Sequence, residues 1–167
     1  MTIRLSRRRL LSAAIAVAAV TGAAGRTRAQ DTTKAQPVLP REKLVIVTHD
    51  GKRHDFMVEM ADTPAQQEVG LMWRTAVPAD GGMLFDWGSP RRSQMWMRNT
   101  LVPLDMVFIA QDGTIAAIAE DTVPRSLAII DSGVPVRATL ELQGGITRKL
   151  DIRVGDKVEC KLFGNLG

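Results

Sequence analysis

Apolar and polar residues alternate in short runs along most of the chain, and turn-forming residues separate the runs roughly every 8–12 positions. Alternation with a period of two is typical of half-buried β-strands. The first run, residues 44–48, is followed by Asp50-Gly51 and by a second run around Phe56 and Val58, which together predict a β-hairpin. Further strands are predicted over residues 83–87, 94–98, 104–110, 114–119, 136–142 and 157–162.

One segment departs from this period and predicts a helix over residues 63–74. Thr63 is placed to cap it, Pro64 suits its first turn, and Gln66 completes a capping box. A second, shorter helix near residues 146–150 is compatible with the pattern. Because strands dominate elsewhere, the fold class is predicted to be mainly β, as a compact β-sandwich or a barrel-like domain.

The predicted domain spans residues 43–163. Residues 30–42 carry Thr, Lys, Gln and two Pro, and are expected to form a flexible tether. Residues 1–29 have the layout of an export signal: a basic start, an apolar stretch of small residues, and Thr27-Arg28-Ala29 before a cut near Ala29. We therefore expect a periplasmic protein with no membrane span in its mature form, the alternative being an uncleaved leader that acts as an anchor.

The adjacent Arg7 and Arg8 precede an apolar pair, which favours twin-arginine export over the general secretory route. The leader also explains the net charge of +4, because six of the 22 basic residues lie within its 28 first positions. From Gln30 onward, 16 Lys and Arg stand against 18 Asp and Glu, a net charge of −2. This balance disfavours nucleic acid as a partner. Cys160 is the sole cysteine, so an intramolecular disulfide is excluded.

Four ordered motifs identify a resemblance. They are Gly70-Leu71-Met72-Trp73-Arg74, Gly82-Met83-Leu84-Phe85, Met95-Trp96-Met97-Arg98-Asn99-Thr100, and the run from Pro103 to Ile109, with Leu140-Glu141-Leu142, Gly145 and Gly155-Asp156-Lys157-Val158 further on. Together they resemble the domain of unknown function 192 family over residues 44–162. The resemblance implies a compact, mostly β domain with one helix, often exported in bacteria. The family has no established activity, so the resemblance implies no catalytic roles.

The polar residues inside these motifs are candidate ligand-binding residues: Arg74, Trp96, Asn99, Thr100 and Asp105. Polar groups that converge beside aromatic faces would suit a small ligand such as a sugar or a peptide. The alternative interpretation is structural, with Asp105 paired to Arg74 and with Asn99 and Thr100 capping a turn. The partner is thus expected to be an unknown small molecule or an envelope protein.

Three less favoured hypotheses concern catalysis or metals. A hydrolytic enzyme would use the carboxylates of Asp105 and Glu141, although the sequence contains no recognisable catalytic set, which favours a binding role. Cu(I) would suit the thioethers of Met95 and Met97, which alternate with Trp96. A divalent metal would need His49 and His54 to meet across the first hairpin. No cofactor is predicted.

Overall fold

The computed structural model describes residues 31–166 and confirms the mainly β prediction. The described chain forms β1 Arg41–Val47, β2 Arg53–Ala61, α1 Pro64–Val69, β3 Gly81–Met95, β4 Leu104–Ile109, β5 Ile115–Ala119, β6 Ile130–Gln143, α2 Ile146–Lys149 and β7 Lys157–Cys160. A short 3-10 helix, Lys161–Phe163, follows β7. The predicted export signal, residues 1–29, lies outside the described residues. Within the described range, no helix is long and apolar enough to cross a membrane.

The strands form one curled sheet in the order β5-β4-β6-β3-β2-β1-β7. All neighbouring pairs are antiparallel except β2 and β3, which run parallel and are joined through α1. A bridge between Thr114 and Lys157 brings the β5 end of the sheet to β7. The sheet therefore curls into a half-barrel, which agrees with the barrel-like alternative of the prediction.

Both faces of the sheet are buried. The inner face packs apolar side chains from all seven strands of the described chain into one cluster, which includes Leu44, Phe56, Val107 and Leu140. The outer face carries a second apolar cluster, which includes Met83. The segments between α1 and β3 and between β3 and β4 cover this cluster. On β6, Leu140 and Leu142 join the inner cluster, so Thr139 and Glu141 lie on the outer face.

Local signals located the helices and the first hairpin well. Thr63 and Gln66 form the predicted capping box, and β1 pairs with β2 across the turn that contains Asp50-Gly51. However, α1 ends at Val69, five residues earlier than predicted, because Gly70 turns the chain with φ +50°. A Cβ atom on Gly70 would lie 3.0 Å from the Phe85 ring, so the chain passes very close to the sheet there.

The segment before β1 lies against the domain. Gln36 is buried, and its Nε2 donates hydrogen bonds to the carbonyl oxygens of Gln66 and Gly70 at 3.1 and 2.9 Å. The backbone N–H of Leu39 donates to Glu59 at 2.8 Å. Residues that the composition assigns to a tether thus contact the end of α1 and the outer face of β2.

Candidate functional site

Two glutamates lie in one row across the outer face of the sheet. The register pairs Glu59 of β2 with Met83 of β3, Met83 with Glu141 of β6, and Glu141 with Met106 of β4. Directly paired residues project from the same face, so the two carboxyl groups flank the Met83 side chain. Leu71, which follows α1, lines a cavity beside each of them.

Glu59 has a basic partner. Its Oε2 accepts a hydrogen bond from Arg74 Nη2 at 3.0 Å and another from the backbone N–H of Leu39. The Arg74 side chain is largely buried, and this pair lines a cavity of about 370 Å³ with Met57 and Asp80 at its edge. The pair therefore joins the segment after α1 to β2 and the N-terminal segment.

Glu141 has no basic partner within the described chain. Glu141 is only 5% exposed, and its Oε2 has no hydrogen-bond partner among the described residues. Burial raises the pKa of the Glu141 carboxyl to about 8, although the backbone N–H of Leu71 opposes part of that rise. The carboxyl is therefore mostly protonated and uncharged at neutral pH.

A cleft of about 520 Å³ opens above Glu141. Phe85 and Trp87 of β3, the segment after α1, and Trp96, which follows β3, line it. Trp96 is 41% exposed, so part of its ring faces solvent. The remaining lining comes from Pro64, Gln67, Glu68, Val69, Gly70, Leu71, Met72, Arg91, Gln94, Met95 and Thr100.

Side-chain contacts hold the two tryptophans. The guanidinium carbon of Arg91 lies 4.2 Å from the Trp87 ring centroid, and Trp87 Nε1 donates to Thr139 Oγ1 at 3.1 Å. Arg98 lies 5.5 Å from the Trp96 centroid. Such cation–π contacts fix ring orientation at the mouth of the cleft.

The predicted ligand-binding residues do not form one pocket. Trp96 and Thr100 line the cleft above Glu141, whereas Arg74 lines the cavity beside Glu59. Asn99 lies next to the cleft with φ +57°, and its Nδ2 donates to the carbonyl of Thr32 at 3.3 Å.

Asp105 lies elsewhere, fully buried at the end of β4. Its carboxylate accepts four hydrogen bonds: from the backbone N–H groups of Asp121, Gly145 and Thr147, and from the Thr147 hydroxyl, all within 2.6–2.9 Å. The predicted ion pair between Arg74 and Asp105 is therefore wrong. Asp105 instead ties the start of α2 and the loop after β5 to the sheet.

The carboxylates of the hydrolase hypothesis are on opposite faces of the sheet. Asp105 pairs with Leu142, whose side chain belongs to the inner cluster, whereas Glu141 pairs with Met106 of the outer cluster. Side chains that point to opposite faces of one sheet cannot act on the same bond. The structure thus does not bring Asp105 and Glu141 together.

The residues of the metal hypotheses are placed as follows. Met95 and Met97 both join the outer cluster, and Met97 is fully buried with its sulfur accepting a hydrogen bond from Thr122 Oγ1 at 3.1 Å. Nδ1 of His49 lies 3.8 Å from Asp156, and His54 lies on β2 opposite Ile46. Over residues 31–166, no three His, Cys, Asp or Glu side chains gather as a metal cluster.

Glu141 is the site residue whose role sequence reasoning understated. The sequence places Glu141 within one of the family motifs and pairs it with Asp105 only in the less favoured hydrolase hypothesis. The available signal was its position in Leu140-Glu141-Leu142, because a charged residue between two apolar ones on a central strand must project from the opposite, also buried, face. The sequence does not predict that Glu141 lacks a basic partner among the described residues on that face.

Comparisons with known proteins agree on the domain. The family model DUF192, described as an uncharacterised ACR, matches residues 45–160. No curated protein matches the chain.

Two crystal structures resemble this one. A protein from Sinorhizobium meliloti 1021, described provisionally as a transcription regulator, is 46% identical with a TM-score of 0.74, over 77% of this chain and 99% of that chain. A protein of unknown function from Novosphingobium aromaticivorans DSM 12444 is 38% identical with a TM-score of 0.71, over 75% of this chain and 90% of that chain.

Proposed function

The chain belongs to the DUF192 family, and from that premise we propose that it is a small-ligand binding module of the cell envelope. The proposed ligand is an uncharged molecule of sugar or short-peptide size, and the proposed site is the cleft above Glu141. The single observation that carries this proposal is the buried Glu141 carboxyl, whose Oε2 lies at the cleft without a hydrogen-bond partner among the described residues.

Folding alone gives no reason to keep such a group. A buried carboxyl oxygen without a hydrogen-bond partner destabilises a domain, and a Gln or an apolar residue would fit the same row of the sheet at lower cost. Groups that fold stability would not select are characteristic of functional sites. In the other cavity the Glu59 carboxylate pairs with Arg74, so that carboxylate is already neutralised.

The cleft suits a small ligand in size and lining. Its volume of about 520 Å³ falls within the range of ordinary small-molecule sites. Phe85 and the tryptophan rings offer apolar surface, and polar side chains such as Gln67, Gln94 and Thr100 accompany them in the lining. With Glu141 protonated, the floor offers no net charge that would attract an ion, which favours an uncharged ligand over a charged one.

The envelope location is supported by the sequence of residues 1–29, which has the layout of an export signal. Replacing Arg7 and Arg8 by Lys should leave precursor in the cytoplasm if the twin-arginine route is used. Fractionation of cells that carry the double variant tests this. Unchanged export would point to the general secretory route instead.

A regulatory role on DNA, suggested by the description of the Sinorhizobium relative, is disfavoured by charge. The net charge of −2 from Gln30 onward is opposite to that of a nucleic-acid binding surface. We therefore place the small-ligand role first.

The experiment that tests the proposal uses the tryptophans as reporters. Saturation-transfer NMR and tryptophan fluorescence would be recorded against a panel of neutral sugars and short peptides. A true ligand should perturb the wild-type signal, and Trp96→Ala should weaken binding. The matched control is Met57→Ala, which changes a half-exposed side chain of the other cavity and should bind as the wild type does. Equal loss in both variants, or no response to any panel member, would contradict the proposal.

A further inference from the structure

The cleft offers a ligand the Glu141 carboxyl, whose Oε2 is buried and has no hydrogen-bond partner among the described residues. Two amide groups of the lining already donate to the protein. Gln67 Nε2 donates to the carbonyls of Ala61 and Asp86, and Gln94 Nε2 donates to Asp131. Leu71, Met72, Phe85 and Met95 add apolar surface to the same lining. A group inserted beside Glu141 therefore meets its carboxyl and apolar side chains.

The protonation state of Glu141 decides whether its carboxyl can donate a hydrogen bond. Because burial holds the carboxyl in its neutral form at pH 7, it presents an O–H donor. The charged residues of the same lining are Glu68, exposed on α1, and Arg91, whose guanidinium lies over Trp87. Glu59, in the same row of the sheet, is neutralised by Arg74. The best partner for the floor is therefore an uncharged acceptor.

We propose that the cleft recognises an acetamido group, with the Glu141 carboxyl donating a hydrogen bond to its carbonyl oxygen and the apolar floor holding its methyl group. This proposal rests on the proposed function, because it names the ligand chemistry of the same cleft. An amide carbonyl is a strong acceptor, and the methyl group needs no polar partner. A polyhydroxylated ring in that floor would leave hydroxyl groups without partners, which is costly.

Gly70 keeps the space above the carboxyl open. A Cβ atom at this position would lie 3.8 Å from Glu141 Oε2 and 3.0 Å from the Phe85 ring. Any larger side chain would therefore occupy the volume that the acetamido group needs. The positive φ of Gly70 also disfavours other residues there.

The acetamido group has two sources, an N-acetylated sugar or an N-acetylated peptide, and the rim of Trp87 and Trp96 offers apolar surface to either. Isothermal titration calorimetry near pH ~6.5, well below the Glu141 pKa, distinguishes them. The probes are N-acetylglucosamine, glucose, glucosamine and N-acetylalanine methylamide. We expect at least one acetylated probe to bind about tenfold or more tightly than glucose and glucosamine, the fold-change expected for one buried hydrogen bond.

Variants of Glu141 separate its role from mere packing. Glu141→Leu should lose about tenfold or more in affinity for the acetylated probe, because the donor is absent. Glu141→Gln should retain most of the affinity, since its amide N–H also donates to a carbonyl oxygen. Above pH ~9 the wild type should lose the same affinity while Glu141→Gln should not. The control Asp112→Asn removes an exposed carboxylate that lies outside the cleft lining and should leave the affinity unchanged.

The outcomes are distinguishable. Binding of at least one acetylated probe, lost in Glu141→Leu, supports amide recognition, and the probe that binds identifies the source as an N-acetylated sugar or an N-acetylated peptide. Glucose or glucosamine binding as tightly as N-acetylglucosamine, or an unchanged affinity in Glu141→Leu, overturns the inference while small-ligand binding stands. If no sugar or peptide of the wider panel binds, the proposed function itself fails, and this inference fails with it.

Discussion

Replacing Glu141 by Gln should stabilise the protein, and the gain should grow with pH. The substitution keeps the shape of the side chain but removes its ionisation. In the folded protein the carboxyl has a pKa of about 8, raised from 4.5 by burial on the outer face of β6. Between these two values the folded state holds a proton that the unfolded state has released. Stability must therefore fall as pH rises from 4.5 to about 8 and change no further above it.

The size of the effect follows from the two pKa values. Each unit is worth about 1.4 kcal/mol, so the wild type should lose on the order of 3 kcal/mol between pH 4.5 and pH 7, and about 4 kcal/mol by pH 8.5. Glu141→Gln carries no such loss. The difference in free energy of unfolding between Glu141→Gln and the wild type should therefore grow by these amounts above its value at pH 4.5. Such a change is a large part of the stability of a small domain.

Urea unfolding at several pH values between ~4.5 and ~9 measures this, because urea leaves electrostatic interactions unscreened. The two proteins should share one m-value and diverge in midpoint as pH rises. Glu68→Gln is the matched control, since that carboxylate is exposed and its stability curve should run parallel to that of the wild type. Parallel curves for Glu141→Gln and the wild type would refute the argument that burial keeps this carboxyl neutral.

Three further predictions concern buried contacts of the fold. Asp105→Ala removes the acceptor of four hydrogen bonds and should cost about 4 kcal/mol or more in urea unfolding, with Asp105→Asn losing about half of that. A double-mutant cycle should give a coupling of about 1 kcal/mol or more for Arg74 with Glu59, and none for Arg74 with Asp105. Gly82→Ala should lower the melting temperature strongly in circular dichroism, because its Cβ would lie 2.2 Å from the backbone oxygen of Glu141.

An exposed residue provides the reference for these losses. The Asp112 carboxylate lies on the surface, where it accepts a hydrogen bond from Thr114 and pairs with Lys157. Asp112→Ala should therefore change the free energy of unfolding by less than about 1 kcal/mol. A loss at Asp105 no larger than the loss at Asp112 would contradict the role assigned to the buried carboxylate. Coupling between Arg74 and Asp105 would contradict their placement on different sides of the domain.

Much of the fold was predictable from the chain because its signals are local. The alternating runs became strands, the Thr63–Gln66 capping box started α1, and the short helix near residues 146–150 exists as α2. The predicted element bounds were wrong where a contact between residues far apart in the chain sets them. The α1 helix stops at Gly70 because the chain must approach Phe85, and the two predicted strands before and after Gly88 are one strand, β3, with an irregular register.

The candidate site was predictable only in part. Trp96 and Thr100 line one cleft, since they lie within one short segment after β3, and their contact with a ligand stays a prediction. Arg74 and Asp105 belong to different surroundings, because the partner of each is set by elements far away in the chain.

The sequence by itself determined the period of each element, the caps and turns that bound it, and the family to which the chain is similar. These depend on interactions among residues a few positions apart, so they can be read without knowing the fold. The tertiary structure alone decided which face of the sheet each carboxyl occupies. Asp105 pairs with Leu142 and Glu141 with Met106, so a one-residue change of register between β4 and β6 would place both carboxyls on the same face. Backbone N–H groups surround the Asp105 carboxylate, whereas no basic side chain of the described chain pairs with the Glu141 carboxyl.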